Sequence, residues 1–129
     1  MKVTLLTLCD FAQENNGKLT IVGTFNILKS GTFPFTYPNP FYLVVGLRFK
    51  GSAKGLTRLS CIGPDGSEFI KSGEMNFSLG EKAVDNRERL AHFIFGFQNT
   101  VFRMPGTYEY RLFLDGRVVA ETELYLDKS

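Results

Sequence analysis

The sequence predicts an all-β domain folded as an antiparallel sandwich or barrel. Three observations carry this. Apolar and polar residues alternate along several short segments, the period-two signature of a half-buried strand. Turn-forming clusters, among them Asn15-Asn16-Gly17, Gly63-Pro64-Asp65-Gly66, Pro105-Gly106 and Asp115-Gly116, punctuate the chain at the spacing of a sandwich. Thirteen Phe and five Tyr, with no Trp, favour strands over helices. No segment carries the apolar stripe of a helical bundle.

In chain order, Val3, Leu5, Thr7, Cys9 and Phe11 alternate with Thr4, Leu6, Leu8 and Asp10, a strand apolar on both sides. Asn15-Asn16-Gly17 is a hairpin turn, because Asn and Gly tolerate positive φ. Leu19, Ile21, Gly23, Phe25 and Ile27 line one face of the second strand. Residues 29–40 (KSGTFPFTYPNP) hold three prolines, so neither helix nor central strand persists there. They form a crossover with an unusual aromatic load: Phe33, Phe35 and Tyr37. The cleanest amphipathic strand follows, with Phe41, Leu43, Val45, Leu47 and Phe49 on one side and Tyr42, Val44, Gly46, Arg48 and Lys50 on the other. Residues 56–62, 68–71 and 74–79 read as short strands around the Pro64 turn. Ser78 and Glu81 have capping-box spacing, so residues 80–89 are either one helical turn or a polar loop. Residues 90–102 (LAHFIFGFQNTVF) form the most hydrophobic strand. Tyr108, Tyr110, Leu112 and Leu114 alternate with Glu109 and Arg111, Asp115-Gly116 turns the chain, and residues 118–126 close it. The total is about eight or nine strands with little or no helix. The predicted core takes Leu5 and Cys9 from the first strand and Leu19, Ile21 and Phe25 from the second. It adds Leu43, Val45, Leu47 and Leu59, then Phe93, Phe95 and Phe97, and finally Tyr108, Tyr110, Leu112, Leu114 and Leu124.

The 129 residues make one domain, 1–129, large enough to bury about two-thirds of its surface without disulfides or metal. The formal net charge of +2 is too small for a dedicated nucleic-acid protein. Arg48, Lys50, Lys54 and Arg58 form the most basic stretch. It reads first as a solvated strand face and second as a phosphate-binding patch. Cys9 and Cys61 match no zinc spacing and sit in apolar runs, as buried free thiols do. The first apolar run is too short for a leader and no stretch is long enough to span a bilayer, so the expected location is the cytoplasm, with no membrane partner. Asn76-Phe77-Ser78 is a glycosylation sequon, without meaning there.

Chemistry-bearing motifs are scarce. GxGxxG, Walker and CxxC patterns are missing, and no cofactor or metal site is expected. His92 is the one histidine and lies opposite Phe93, Phe95 and Phe97 in the alternation. A triad of Ser60 or Cys61 with His92 and Asp65 has the residue types but no nucleophile elbow, so an enzyme is not expected. Glu121 and Glu123 share an outward face and keep a strand soluble. The anomaly is the segment 93–97, where Ile94 and Gly96 leave the solvent face apolar too, so something must cover it. The crossover aromatics and a second subunit both meet that need. Phe33, Phe35, Tyr37 and Ile94 are therefore the expected interaction surface.

The segment MPGTYEYRLFLDGRVVAETEL (104–124) resembles the closing strands of immunoglobulin-like sandwiches. The resemblance implies that Tyr108 is a corner tyrosine whose hydroxyl ties back to the backbone. With Asp10-Phe11, residues 17–23, Phe33-Pro34 and Pro105 to Tyr108, nearly the whole chain resembles a family of small uncharacterised bacterial proteins. That resemblance implies a non-secreted bacterial protein and brings no activity. The expectation is an antiparallel immunoglobulin-like β-sandwich acting as a non-catalytic binding or assembly module. It would work through a protein partner or self-association as a homodimer, with nucleic acid disfavoured as a ligand. A closed β-barrel holding an apolar ligand and a single-stranded nucleic-acid binder using Tyr42, Arg48 and Lys50 are the rival readings.

Overall fold

The computed structural model describes residues 1–80 and 85–129, and Glu81 of the capping-box expectation lies outside them. The described residues contain twelve strands and no helix: β1 (Lys2–Asn15), β2 (Lys18–Phe25), β3 (Ile27–Ser30), β4 (Phe35–Thr36), β5 (Phe41–Lys50), β6 (Ala53–Ile62), β7 (Glu68–Lys71), β8 (Met75–Leu79), β9 (Glu88–Phe97), β10 (Val101–Phe102), β11 (Gly106–Leu114) and β12 (Arg117–Lys128). The count exceeds the expected eight or nine because two predicted strands are broken and the crossover contains the two-residue β4, which pairs with β10. The second splits at Asn26. The segment 90–102 splits around Asn99, which adopts φ 52°.

One sheet has the order β2-β1-β5-β9. A second has the order β3-β12-β11-β6-β7, with β8 also paired to β6, and β10 and β4 form a separate two-stranded sheet. Pairing is antiparallel except for β3 with β12, which is parallel. Both larger sheets are open, with free edges, so the barrel alternative is wrong. The chain passes between the sheets several times, two of the passages being the tight Gly51-Ser52 corner and the connection from β9 to β11. β1, β5 and β9 thus occupy the A, B and E positions of an immunoglobulin-like sandwich, and β6, β11 and β12 the C, F and G positions. At the connection from β9 to β11 the Tyr108 hydroxyl donates to the Met104 carbonyl at 2.7 Å, the corner bond that the resemblance implied. Gly106, at φ 135°, is required there, since a Cβ would meet the Pro64 ring at 2.8 Å.

The inner faces hold the core. Phe41, Leu43, Val45 and Leu47 from β5 meet Leu59, Cys61, Tyr108, Tyr110, Leu112 and Leu124, all at most 2% exposed. From β1 the inward residues are Leu6 and Leu8, not Leu5 and Cys9. Register decides this: Leu8 lies opposite Leu43 and Leu6 opposite Val45, so Leu5, Thr7 and Cys9 point outward, while Val3, before the shift in register, lies opposite Leu47 and packs inward. Cys9 is still fully buried, but on the outer face of its sheet.

That outer face is covered by the chain's own hairpin. Pairing skips Asp10 and Gly23, and Gly23 adopts φ 68°, where a Cβ would collide with the Asp10 carboxylate. Beyond this irregularity the end of β1 and the start of β2 fold back over the sheet. β5 separates β1 from β9, yet Glu14 Oε2 lies 3.3 Å from His92 Nδ1. Outward-facing Val44 and Cys9 are completely buried. Ala12, Leu19 and Ile21 are half-buried, while Phe11, Gln13, Thr20 and Val22 are exposed. Leu19 and Ile21 therefore pack outside the sandwich, which corrects their place in the predicted core.

Candidate protein-interaction edge

The crossover aromatics are placed at the end of the sandwich. Phe33, Phe35 and Tyr37 are half-buried and pack on the core. Phe35 stacks with Phe102 at 6.5 Å between centroids, and Tyr37 meets Phe41 edge-on at 5.6 Å. The Tyr37 N–H donates to the Thr100 carbonyl at 2.9 Å. These rings do not cover Ile94. Of the four residues expected as an interaction surface, Ile94 is the exposed one, at 36%.

The basic stretch does not converge. β5 and β6 belong to opposite sheets, so Arg48 and Arg58 face outward on opposite sides. Arg48 Nε pairs with Glu88 at 3.3 Å. The Arg58 guanidinium lies 3.6 Å from the Phe113 ring centre. Lys50 sits opposite Glu88, and Lys54 pairs with Ser78 at the start of β6. Tyr42 is half-buried, with its ring against Gly96.

The triad residues are also separated. Ser60 donates to Glu68 on the outer face of one sheet, and Asp65 accepts from Ser67 in its turn. That hydroxyl and the Ser67 N–H hold the Asp65 carboxyl below its ordinary range. His92 faces Glu14 on the outer face of the other sheet. Cys61 is fully buried, and desolvation pushes its thiol up to about 12. Glu109 and Glu121 flank Arg111 at 3.1 and 3.9 Å. Glu121 and Arg111 hold the Glu109 carboxyl below its ordinary range, while the neighbouring Glu109 pushes Glu121 up. The Tyr125 hydroxyl donates to Glu123. Among the described residues no group of three His, Cys, Asp or Glu is placed to hold a metal ion, and no helix is long and apolar enough to cross a membrane.

What remains conspicuous is the free edge of β9. Among the described residues β9 pairs with β5 alone. In the immunoglobulin arrangement a D strand flanks E. Here β8 pairs with β6 instead, and no described strand fills the D position. Exposed edges are normally blunted by Lys, Pro, bulges or shortness. β2 begins with Lys18, β3 carries Lys29, and β7 is four residues long with Glu68 and Lys71 at its ends. β9 runs ten residues with regular pairing, and from Leu90 to Phe97 its one titratable group is His92. Leu90 and Ile94 stand exposed on its outer face at 56% and 36%. Beside its C-terminal end a groove of about 920 Å³ opens between β7, β9 and β10, lined by Phe69, Ile70, Phe97, Val101, Arg103 and Tyr108. Sequence reasoning found Ile94 through the two-sided apolar pattern. It missed Leu90 and the groove, because neither an edge nor a gap between sheets leaves a local signal.

A family model described as a family of unknown function, DUF6941, matches residues 4–127. No curated protein matches the chain. Among solved structures the chain is similar to part of an alkylpurine DNA glycosylase, AlkC, from Pseudomonas fluorescens, at a TM-score of 0.51 and 14% identity over 98% of this chain and 30% of that one. It also overlaps a β-glucosidase from Listeria innocua (TM-score 0.48, 10% identity, 99% of this chain and 16% of that one). An immunoglobulin-like protein from Pseudomonas aeruginosa matches at a TM-score of 0.42 and 11% identity, over 92% of this chain and 90% of that one. The chain spans less than a third of the glycosylase and the glucosidase, and the glycosylase likeness shows a shared fold.

Proposed function

We propose a binding function for this chain, which belongs to DUF6941, a family of unknown function: it is a non-catalytic module that accepts an extended strand of a protein along the free edge of β9. One observation carries the reading. A ten-residue edge strand, uncharged over most of its length and beside a position that no described strand fills, offers backbone donors and acceptors to an incoming strand. Main-chain bonds to that edge would supply affinity, and side chains entering the groove beside Phe97 would supply selectivity. The scattering of Ser60, His92 and Asp65 supports a role without catalysis. The divergence of Arg48 and Arg58 takes away the support for a nucleic-acid surface. Two buried, unpaired thiols fit a reducing compartment, which supports placing the protein in the cytoplasm.

A photo-crosslinking residue placed at position 94 in the organism of origin tests this. Protein adducts are expected there and not at Val119, an exposed position on β12. Adducts in equal amount at both positions, or at neither, overturn the proposal.

A further inference from the structure

We infer that the strand received by β9 is β9 of a second copy of this chain, paired antiparallel about a two-fold axis at Ile94. The inference rests on the strand-acceptor reading and names its partner. Self-pairing of an antiparallel edge requires the segment to match its own reverse. The residues from Leu90 to Gln98 include no Asp, Glu, Lys or Arg, and Ile94 is the centre of that window. A dyad at Ile94 therefore overlaps the whole uncharged stretch with itself. Ile94 then opposes Ile94, and Leu90 opposes Gln98. On the inner face Phe93 opposes Phe95, the aromatic cross-strand pairing that stabilises sheets. Beyond Phe97 the chain leaves the strand at Asn99, so Arg89 and Glu88 have no strand residue of the other copy opposite them and the Arg48–Glu88 pair is kept. Exposed Ile94 gains an apolar neighbour on the outer face, and the two four-stranded sheets join into one. The other edges offer less. β2 is interrupted at Gly23, which adopts φ 68°, β3 and β7 are four residues long, and uncharged β8 spans only five.

Sedimentation over a range of concentrations, with thiol crosslinking, tests the inference. The expected wild-type particle has twice the 14.5 kDa chain mass. Ile94→Lys puts two cations on the axis and should give a monomer that stays folded, with a thermal midpoint that no longer depends on concentration. Ile94→Cys should be linked across the dimer by a short bismaleimide. Leu90→Cys should not, because the two copies of position 90 lie about 27 Å apart at eight residues of strand rise. A wild-type dimer that persists in Ile94→Lys, or linkage at position 90 in place of 94, overturns the inference. So does a monomer at all concentrations, and hydrogen exchange of the β9 amides then separates the two readings. Fast exchange along the outer edge leaves strand acceptance standing without self-pairing. Protected edge amides in the monomer overturn both.

Discussion

Tyr108 ties the start of β11 to the corner before it: its ring is 2% exposed and its hydroxyl donates to Met104. Tyr108→Phe keeps the ring and strands the carbonyl, so a loss of about 1–2 kcal/mol is expected, read as a lower urea midpoint at unchanged slope. Two residues on, Tyr110 is fully buried beside Cys61. Desolvation holds the Cys61 thiol up to about 12 from an ordinary value near 9. The folded chain therefore keeps a proton that the unfolded chain releases. The associated stability is complete below pH 9 and is lost as pH rises from 9 toward 12, by up to about 1.4 kcal/mol per pH unit. Urea titrations at pH 8, 9 and 10 should show this decline in the wild type and a shallower one in Cys61→Ala. Equal slopes would mean that the thiol ionises in the folded state as easily as in the unfolded.

At the scale of elements, the β1–β2 hairpin is the part that works differently from its sequence pattern. Its tip covers Cys9 and Val44 on the outside of the sheet, and the bend depends on Gly23 at φ 68° beside Asp10. Gly23→Ala adds strain at that bend, so a loss of about 1 kcal/mol or more is expected. It should also speed the reaction of Cys9 with a thiol reagent while Cys61, inside the sandwich, stays unreactive. β5 was legible because five odd positions in a row are apolar and the strand is central. The hairpin itself was legible from Asn16-Gly17. Its fold-back was not, because local alternation gives the same pattern for a strand facing the sandwich core and one facing the back of a sheet. β9 shows the same limit from the other side. Its apolar outer face announced a need for cover, but whether a strand runs beside it is a property of topology.

For the whole molecule, the question is what the aromatic crossover does, since the sequence admits both a sticky loop and a structural plug. The rings settle this by their connections. Tyr37 lies 6.4 Å from Phe25 and 5.6 Å from Phe41, both on the β2-β1-β5-β9 sheet. Phe35 stacks on Phe102, which meets Tyr108 on the opposite sheet at 5.1 Å. Phe35 and Tyr37 themselves touch edge-to-face at 6.2 Å, so the crossover bridges the sheets at one end. A bridge of this kind couples the two halves into one cooperative unit. Phe35→Ser should cost about 2–3 kcal/mol, below the range for a fully buried Phe because the ring is half-buried. Tyr37→Ser should cost a similar amount, and the double variant less than the sum, because the rings share a contact. Neither substitution should alter the particle mass under conditions where the variant stays folded. Ile94→Lys should behave in the opposite way, changing the mass while the released monomer keeps its fold. If Phe35→Ser leaves the midpoint untouched but dissociates the particle, the crossover is the interface and the β9 edge is not.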